Sequence, residues 1–307
     1  MATVHPIVKM HKTIVTLAQI APRLGDREAN LALHEEQIRE ARGAGADLVV
    51  FPELSLTGYL LKDMVPNVAL RLDAPEIQRL CELSRGISLV AGFVEESPEF
   101  RFYNSAAYFE DGALVHVHRK VYLPTYGLFD EGRYFARGDR IRAFDSKHGR
   151  IALLVCEDMW HLSTVYIATL DRAVTLICPS ASPIRGISDD TERDDNARYW
   201  DDLLGFYARA FASTIVYVNR VGFEDGIGFW GGSQIVGADG LRRVQAPYCE
   251  PASVHYEIDA EETRRQRIVA PMLRDEDVDL TINELLRIRG RVGDVGDEQA
   301  RGEPDAE

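Results

Sequence analysis

Short apolar runs alternate along the chain with longer stretches in which apolar residues recur every three to four positions. The runs "TIVTLAQI" (13–20), "DLVVFPEL" (47–54), "ISLVAGFVEE" (87–96), "IALLVCED" (151–158), "AVTLICPS" (173–180) and "TIVYVNRVG" (214–222) are rich in valine and isoleucine. Their length and β-branching predict buried strands. Between them, "DREANLALHEEQIREARGAGA" carries Leu31, His34, Ile38 and Ala41 on one helical face and stops in glycine. "DAPEIQRLCELSRG" repeats the pattern at Ile77, Leu80 and Leu83, and "DDNARYWDDLLGFYARAFAS" repeats it at Leu203, Phe206 and Ala210. Alternating strands and helices predict an α/β fold.

Two places depart from strict alternation. "RFYNSAAYFEDGALVHVHRKVYLP" reads as adjacent strands joined by Asp111-Gly112, a hairpin signal, and a second pair flanks "GADG" (237–240). The sheets are therefore expected to be mixed, with helices over one face of each of two sheets that pack on each other. The last coherent element is "DLTINELLRIRG" (279–290). One domain is expected over 1–290, followed by an acidic, Gly/Pro-containing tail (291–307) expected to be disordered.

Charge narrows the partners. A net charge of -14 disfavours nucleic acid and anionic membrane, since both would repel the surface. No run of about 18 apolar residues suggests a membrane span, and the start "MATVHPIVKMHK" does not read as a signal peptide. Cys81, Cys156, Cys178 and Cys249 lie far apart without a C-x-x-C pair, so neither a zinc ribbon nor a disulfide framework is expected. A reducing cytoplasm is the simplest location.

Three apolar runs end on an ionisable residue: "LVVFPE" at Glu53, "LVHVHRK" at Lys120 and "IALLVC" at Cys156. In α/β sheets, sites gather at the carboxyl ends of strands, where an acid, a base and a thiol can meet. The bland alternatives are a core cysteine, the reading taken for Cys178, and solvated strand-end charges. The abrupt passage from Leu153-Leu154-Val155 through Cys156 to Glu157 and Asp158 reads as a turn that lifts a thiol out of the core. His116 and His118 share a strand face; with no third ligand apparent, a solvent-facing strand is favoured over a metal pair. His161 reads as a helix cap or packing residue. Gly231 and Gly232 read as points of close backbone approach.

In order, "FPELSLTGY", "HRKVYLPTYGLFDEGRYFARG", "LLVCEDMW", "CPSASP" and "NRVGFEDGIGFWGGSQIVGADG" resemble the nitrilase, or carbon–nitrogen hydrolase, superfamily over roughly residues 13 to 290. The wording of "LPTYGLFDEGRYF" and "CEDMW" is most similar to the glutaminase domain of glutamine-dependent NAD synthetases and its stand-alone relatives. The resemblance implies a four-layer α-β-β-α sandwich of two mixed sheets. It also implies a catalytic Glu53, Lys120 and Cys156, joined by Glu131 as a second glutamate that orients Lys120 or the substrate amide. In that scheme Glu53 acts as general base, Cys156 as nucleophile, and Lys120 with the Glu157 backbone N–H holds the oxyanion. No metal or other cofactor is required.

Tyr59, Tyr126 and Trp160 are candidate pocket residues, with Trp230 beside them; core packing is the alternative for each. In "SASPIRG" (180–186), Ser182 and Arg185 are candidates for substrate contact, Arg185 by pairing with a carboxylate. This segment departs from the glutaminase pattern, so glutamine is not assigned as substrate. An ATP-binding Ser-Gly-Gly-type loop is not found. The expected activity is hydrolysis of a small carboxamide to acid and ammonia. The alternatives are a glutaminase subunit serving a separate synthetase, a nitrilase, or a binding protein that has lost its chemistry. Assembly as a homodimer or larger homo-oligomer is expected from the resemblance.

Overall fold

The computed structural model describes residues 12–184 and 195–300. The chain divides into two compact units, Met1–Ala270 and Pro271–Glu307. The first unit opens with β1 (Lys12–Gln19), α1 (Arg27–Gly43), β2 (Leu48–Val50), α2 (Val65–Val68), α3 (Pro75–Leu83), β3 (Ser88–Glu96), β4 (Phe102–Glu110), β5 (Ala113–Arg119) and α4 (Glu131–Tyr134). It continues with β6 (Ala143–Ser146), β7 (Gly149–Leu153), α5 (Leu162–Leu170), β8 (Thr175–Ser180), α6 (Asp195–Ala210) and β9 (Thr214–Asn219). It closes with β10 (Val221–Glu224), β11 (Ile227–Trp230), β12 (Gln234–Val236), β13 (Arg242–Gln245), β14 (Ala252–Asp259) and α7 (Ala260–Val269).

Two six-stranded sheets are built on one plan. In the order β14-β1-β2-β3-β4-β5, the strands β1, β2 and β3 run parallel and their flanking partners pair antiparallel. In the order β13-β12-β9-β8-β7-β6, the parallel trio is β7, β8 and β9. Both sheets are mixed, and β10 with β11 forms a separate ribbon.

Strand periodicity sorts the apolar side chains into three layers. Leu48, Val50 and Val90 face the space between the sheets, where they meet Leu153, Ile177, Val216 and Val218. Their neighbours Val49 and Leu89 point the other way, onto Ile38 and Ala41 of α1 and Ile77 and Leu80 of α3. On the second sheet, Ala152, Leu176 and Ile215 pack beneath Val165 of α5 and Trp200 and Leu204 of α6. Burial on both faces explains why these strands read as continuous apolar runs. The result is the expected α-β-β-α sandwich.

Local differences from the pattern have identifiable causes. The α1 helix is capped by Asp26, whose Oδ1 accepts from the Ala29 N–H at 3.0 Å. Its buried face is Asn30, His34, Ile38 and Ala41, with Leu31 only partly covered. In α6 the buried face includes Trp200, Leu204, Tyr207 and Ala208, rotated from the expected Leu203, Phe206 and Ala210. Trp200 sets that rotation: its indole N–H donates to Ser182 Oγ at 3.0 Å, and its ring packs on Tyr217. Phe206 is left exposed. Asp111 and Gly112 both adopt positive φ, as a tight hairpin turn demands.

The second unit carries α8 (Val278–Ala300), a helix that starts where Asp277 Oδ1 accepts from the Leu280 N–H. It continues past residue 290, and the absence of proline from 278 to 300 lets the helix propagate. Residues 301–307 of the expected tail lie outside the described residues. Among the described residues no helix is long and apolar enough to cross a membrane.

Gly92 of β3 supports the segment that leaves β2. A Cβ there would stand 2.4 Å from the Leu54 nitrogen and 2.7 Å from the Pro52 carbonyl oxygen, which bracket Glu53. Gly92→Ala is therefore expected to destabilise the fold by about 1–3 kcal/mol, the usual cost of overpacking. Urea denaturation measures this, and an unchanged midpoint would contradict the packing described.

Candidate active site

Glu53, Lys120 and Cys156 all sit just beyond the ends of strands. After β2, Phe51 makes one further ladder bond to the Val90 carbonyl before the chain turns away at Pro52 and Glu53. Lys120 follows β5 and stays tied to the neighbouring strand through its N–H and the Asn104 carbonyl, 2.8 Å. The run expected as a strand over 151–158 leaves the sheet at Leu153. Cys156 opens a 3-10 turn, Cys156–Trp160, with φ of 44°. A non-glycine residue in the left-handed region is strained, and such strain persists only where surrounding contacts enforce it.

The side chains converge. Lys120 Nζ donates to Glu53 Oε1 and to Glu131 Oε1, each at 2.7 Å. Glu53 Oε1 also accepts from Asn104 Nδ2 at 2.7 Å, and its Oε2 accepts from the Ala181 N–H at 2.8 Å. Glu131 Oε1 accepts from the Tyr59 hydroxyl at 2.5 Å, while its Oε2 is buried without a protein partner among the described residues. Glu53 and Lys120 are each 1% exposed; the thiol-bearing residue is more accessible. Ser180 Oγ donates to Cys156 Sγ at 3.1 Å.

The electrostatics follow from this crowding. Loss of water pushes the Cys156 thiol well above its ordinary range, and the Glu53 carboxylate pushes it further; Lys120 opposes both without winning. The neutral thiol is therefore the favoured resting form, burial being the largest cause and the Glu53 charge the next. Burial alone would lower Lys120, but the charges of Glu131 and Glu53 outweigh it and hold the ammonium protonated well above its usual range. Burial raises Glu131 to about 7, aided by Glu53 and opposed by Lys120.

The other sequence-predicted residues divide. Tyr59 is in the site through Glu131. Tyr126 donates its hydroxyl to Glu157 Oε1 at 2.9 Å, which joins two of the candidate pocket residues. Trp160 stacks on Tyr199 at 4.2 Å and stands edge-on to Trp200. Ser182 is buried and structurally engaged: its Oγ accepts from Trp200 Nε1 and Asn196 Nδ2, and its N–H donates to Asn219 Oδ1. Arg185 lies outside the described residues. Cys178 is fully buried, as a core cysteine should be, and Trp230 is buried beside Tyr217. At Gly231 and Gly232, both at positive φ, a Cβ would collide with Gln19 Nε2 and with the Trp230 ring.

The histidine readings need correction. His118 does not face solvent; it is buried and bonds Asp158 Oδ2 at 2.7 Å, while His116 stacks on Phe144. His161, by contrast, is the packing residue expected: it stands at the N-cap position of α5 without a side-chain capping bond and stacks on Tyr122. Several contributors escaped sequence reasoning. Asn104 had one signal, a lone amide within an apolar strand. Arg220 and Glu224 form a buried pair, and Glu224 Oε2 accepts from the N–H groups of Tyr59 and Leu60. This pair fixes the loop that aims Tyr59 at Glu131.

The chain matches the family model described as carbon-nitrogen hydrolase over residues 14–268. It is 34% identical over 256 residues to a glutamine-dependent NAD(+) synthetase of Acinetobacter baylyi, covering 83% of this chain and 46% of that protein. The chain spans about half the length of the curated relatives it matches. A carbon-nitrogen hydrolase from Helicobacter pylori superposes with a TM-score of 0.79 at 27% identity, over 90% of this chain and 99% of that one. An amidase from Nesterenkonia sp. superposes with a TM-score of 0.73 at 25% identity, over 88% of this chain and 95% of that one.

The alkylation rate of Cys156 by iodoacetamide, followed against pH, tests the electrostatics. It is expected to keep rising past the ordinary thiol range without a plateau. Glu53→Gln removes a negative neighbour, so it should move the profile to lower pH. A wild-type plateau near neutrality would contradict the neutral resting thiol.

Proposed function

The chain belongs to the carbon–nitrogen hydrolase family, and from that premise we propose that it hydrolyses a small carboxamide to a carboxylic acid and ammonia through a thioester on Cys156. The observation that carries this reading is the arrangement around Lys120. One carboxylate, Glu53, retains a lone pair after its three donors and can accept the thiol proton. The other, Glu131, keeps a buried oxygen without a protein partner, suited to accept from a substrate N–H. An amide has that N–H and a nitrile does not, which favours the amide.

In this mechanism Glu53 takes the proton from Cys156 as the sulfur attacks the carbonyl carbon. A neutral resting thiol makes transfer during attack the economical course. The oxyanion that forms is held by the Lys120 ammonium and the Glu157 N–H. Protonated Glu53 then gives its proton to the departing nitrogen, the C–N bond breaks, and ammonia leaves. Water next attacks the thioester, losing a proton to Glu53. Collapse expels the sulfur, which regains that proton, and the acid is released. Tyr126 and Trp160 would flank the acyl portion.

A second reading has its own observation. The A. baylyi relative is a glutamine-dependent NAD(+) synthetase, and in this reading the substrate amide is glutamine's and the ammonia passes to a synthetase partner. The described cysteines are all free thiols, which suits a reducing cytoplasm. The exposed Leu162 and Ile167 of α5 and Tyr199 and Phe206 of α6 are suited to a homodimer contact.

Ammonia release across amides, nitriles, N-carbamoyl amino acids and glutamine tests the activity. Wild type should act on at least one carboxamide and Cys156→Ala on none; turnover by Cys156→Ala would remove the mechanism, and strong preference for glutamine would select the second reading. Because burial holds Glu131 at about 7 and its carboxylate is the working form, kcat/KM should fall as pH drops through about 7. Glu131→Gln should lower activity at all pH and flatten that limb. Light scattering should give a mass of at least two chains, and a monomer would refute the dimer.

A further inference from the structure

The acid that follows the thiol so abruptly in sequence is Asp158, and none of the steps above uses it. It is fully buried yet accepts four hydrogen bonds. Its Oδ2 takes the Val155 N–H at 3.0 Å and bonds His118 Nε2 at 2.7 Å; its Oδ1 takes the Val121 and Tyr122 N–H groups, each at 3.0 Å. Val155 immediately precedes Cys156 in the second sheet's segment, and Val121 immediately follows Lys120 in the first sheet's segment. One carboxylate thus binds the backbone next to both residues, and they come from opposite sides of the sandwich. Thr164 Oγ holds the Asp158 carbonyl at 2.5 Å, so the turn is restrained at its far end as well.

We propose that Asp158, oriented by His118, is the positioning residue that holds the strained Cys156 turn and Lys120 in one frame, so that thiol and oxyanion-binding ammonium face the same carbonyl carbon. The proposal rests on the amidase reading for those two roles. A carboxylate suits the task because all four of its partners act as donors, which a neutral amide cannot satisfy. His118 supplies the donor that comes from a side chain and locks the carboxylate plane. Its ring lines a cavity of about 230 Å³ together with His116, Arg119 and Arg142, so substitution there has room to be tolerated.

The test compares His118→Leu, His118→Gln and Asp158→Asn with wild type in the full chain. Misplacement of reacting groups by about 1 Å costs roughly 100-fold. His118→Leu and Asp158→Asn are therefore expected to lower kcat by about that factor, with KM little changed. Hydrogen–deuterium exchange should rise together in the segments around Val121 and Val155 and not in the sheet interiors. His118→Gln, which restores a donor, should recover most of kcat. Unchanged kcat and exchange in His118→Leu would overturn the proposal. So would a kcat loss that His118→Gln does not repair and that accompanies exchange throughout the sheets, since that is the mark of a merely structural role. If wild type hydrolyses no amide, the amidase reading fails, and the exchange data alone still decide whether the clamp exists.

Discussion

An ammonium shut away from water has to be matched by negative charge, and Lys120 is matched twice. Breaking a buried ion pair by removing one partner typically costs about 3–5 kcal/mol, because a charge is then left without compensation. Glu53, at the exit of β2, and Glu131, at the start of α4, are therefore obligatory neighbours of the strand that delivers Lys120. Each of those carboxylates recruits its own donors, Asn104 and the Ala181 N–H for one and Tyr59 for the other. One buried charge thus draws segments of four strands from both sheets, and the start of α4, to a single point.

The same requirement explains what surrounds it. Buried charge and a left-handed cysteine both cost stability locally, and the neighbouring contacts that enforce them are correspondingly dense. Glu224, paired with Arg220, holds the Tyr59 loop by two backbone N–H groups. His34, kept neutral by burial that lowers it to about 4, bonds Ser55 two residues after Glu53. Asp158 ties the Lys120 and Cys156 segments to each other. Glu224 and Asp158 act on backbone N–H groups and His34 on a hydroxyl, each beside a residue of the candidate site.

The strands were legible because burial on both faces leaves long apolar runs, and the Asp111-Gly112 hairpin announced itself by its turn chemistry; the order of strands within each sheet was not. Glu53, Lys120 and Cys156 stood out for the same reason: each is an ionisable residue at the end of such a run. The rotation of α6 was not legible, since it depends on Trp200 finding Ser182 across the fold rather than on periodicity alone. His118 was misread for a related reason. On a strand that otherwise alternates, a buried histidine cannot be told from an exposed one until its partner, Asp158, is brought to it from forty residues away. The roles of Asn104, Arg220 and Glu224 likewise exist only in three dimensions.

The central claim is that Cys156 forms a covalent acyl bond to its substrate, activated by Glu53 and opposed to Lys120. The most direct measurement is the intact mass of the protein quenched in acid during turnover of an amide it hydrolyses, followed by peptide mapping. The account predicts a species heavier by the substrate's acyl group, mapped to the peptide holding Cys156. Steady ammonia release with no such adduct, or an adduct on Cys178 or Cys249 in its place, would contradict it.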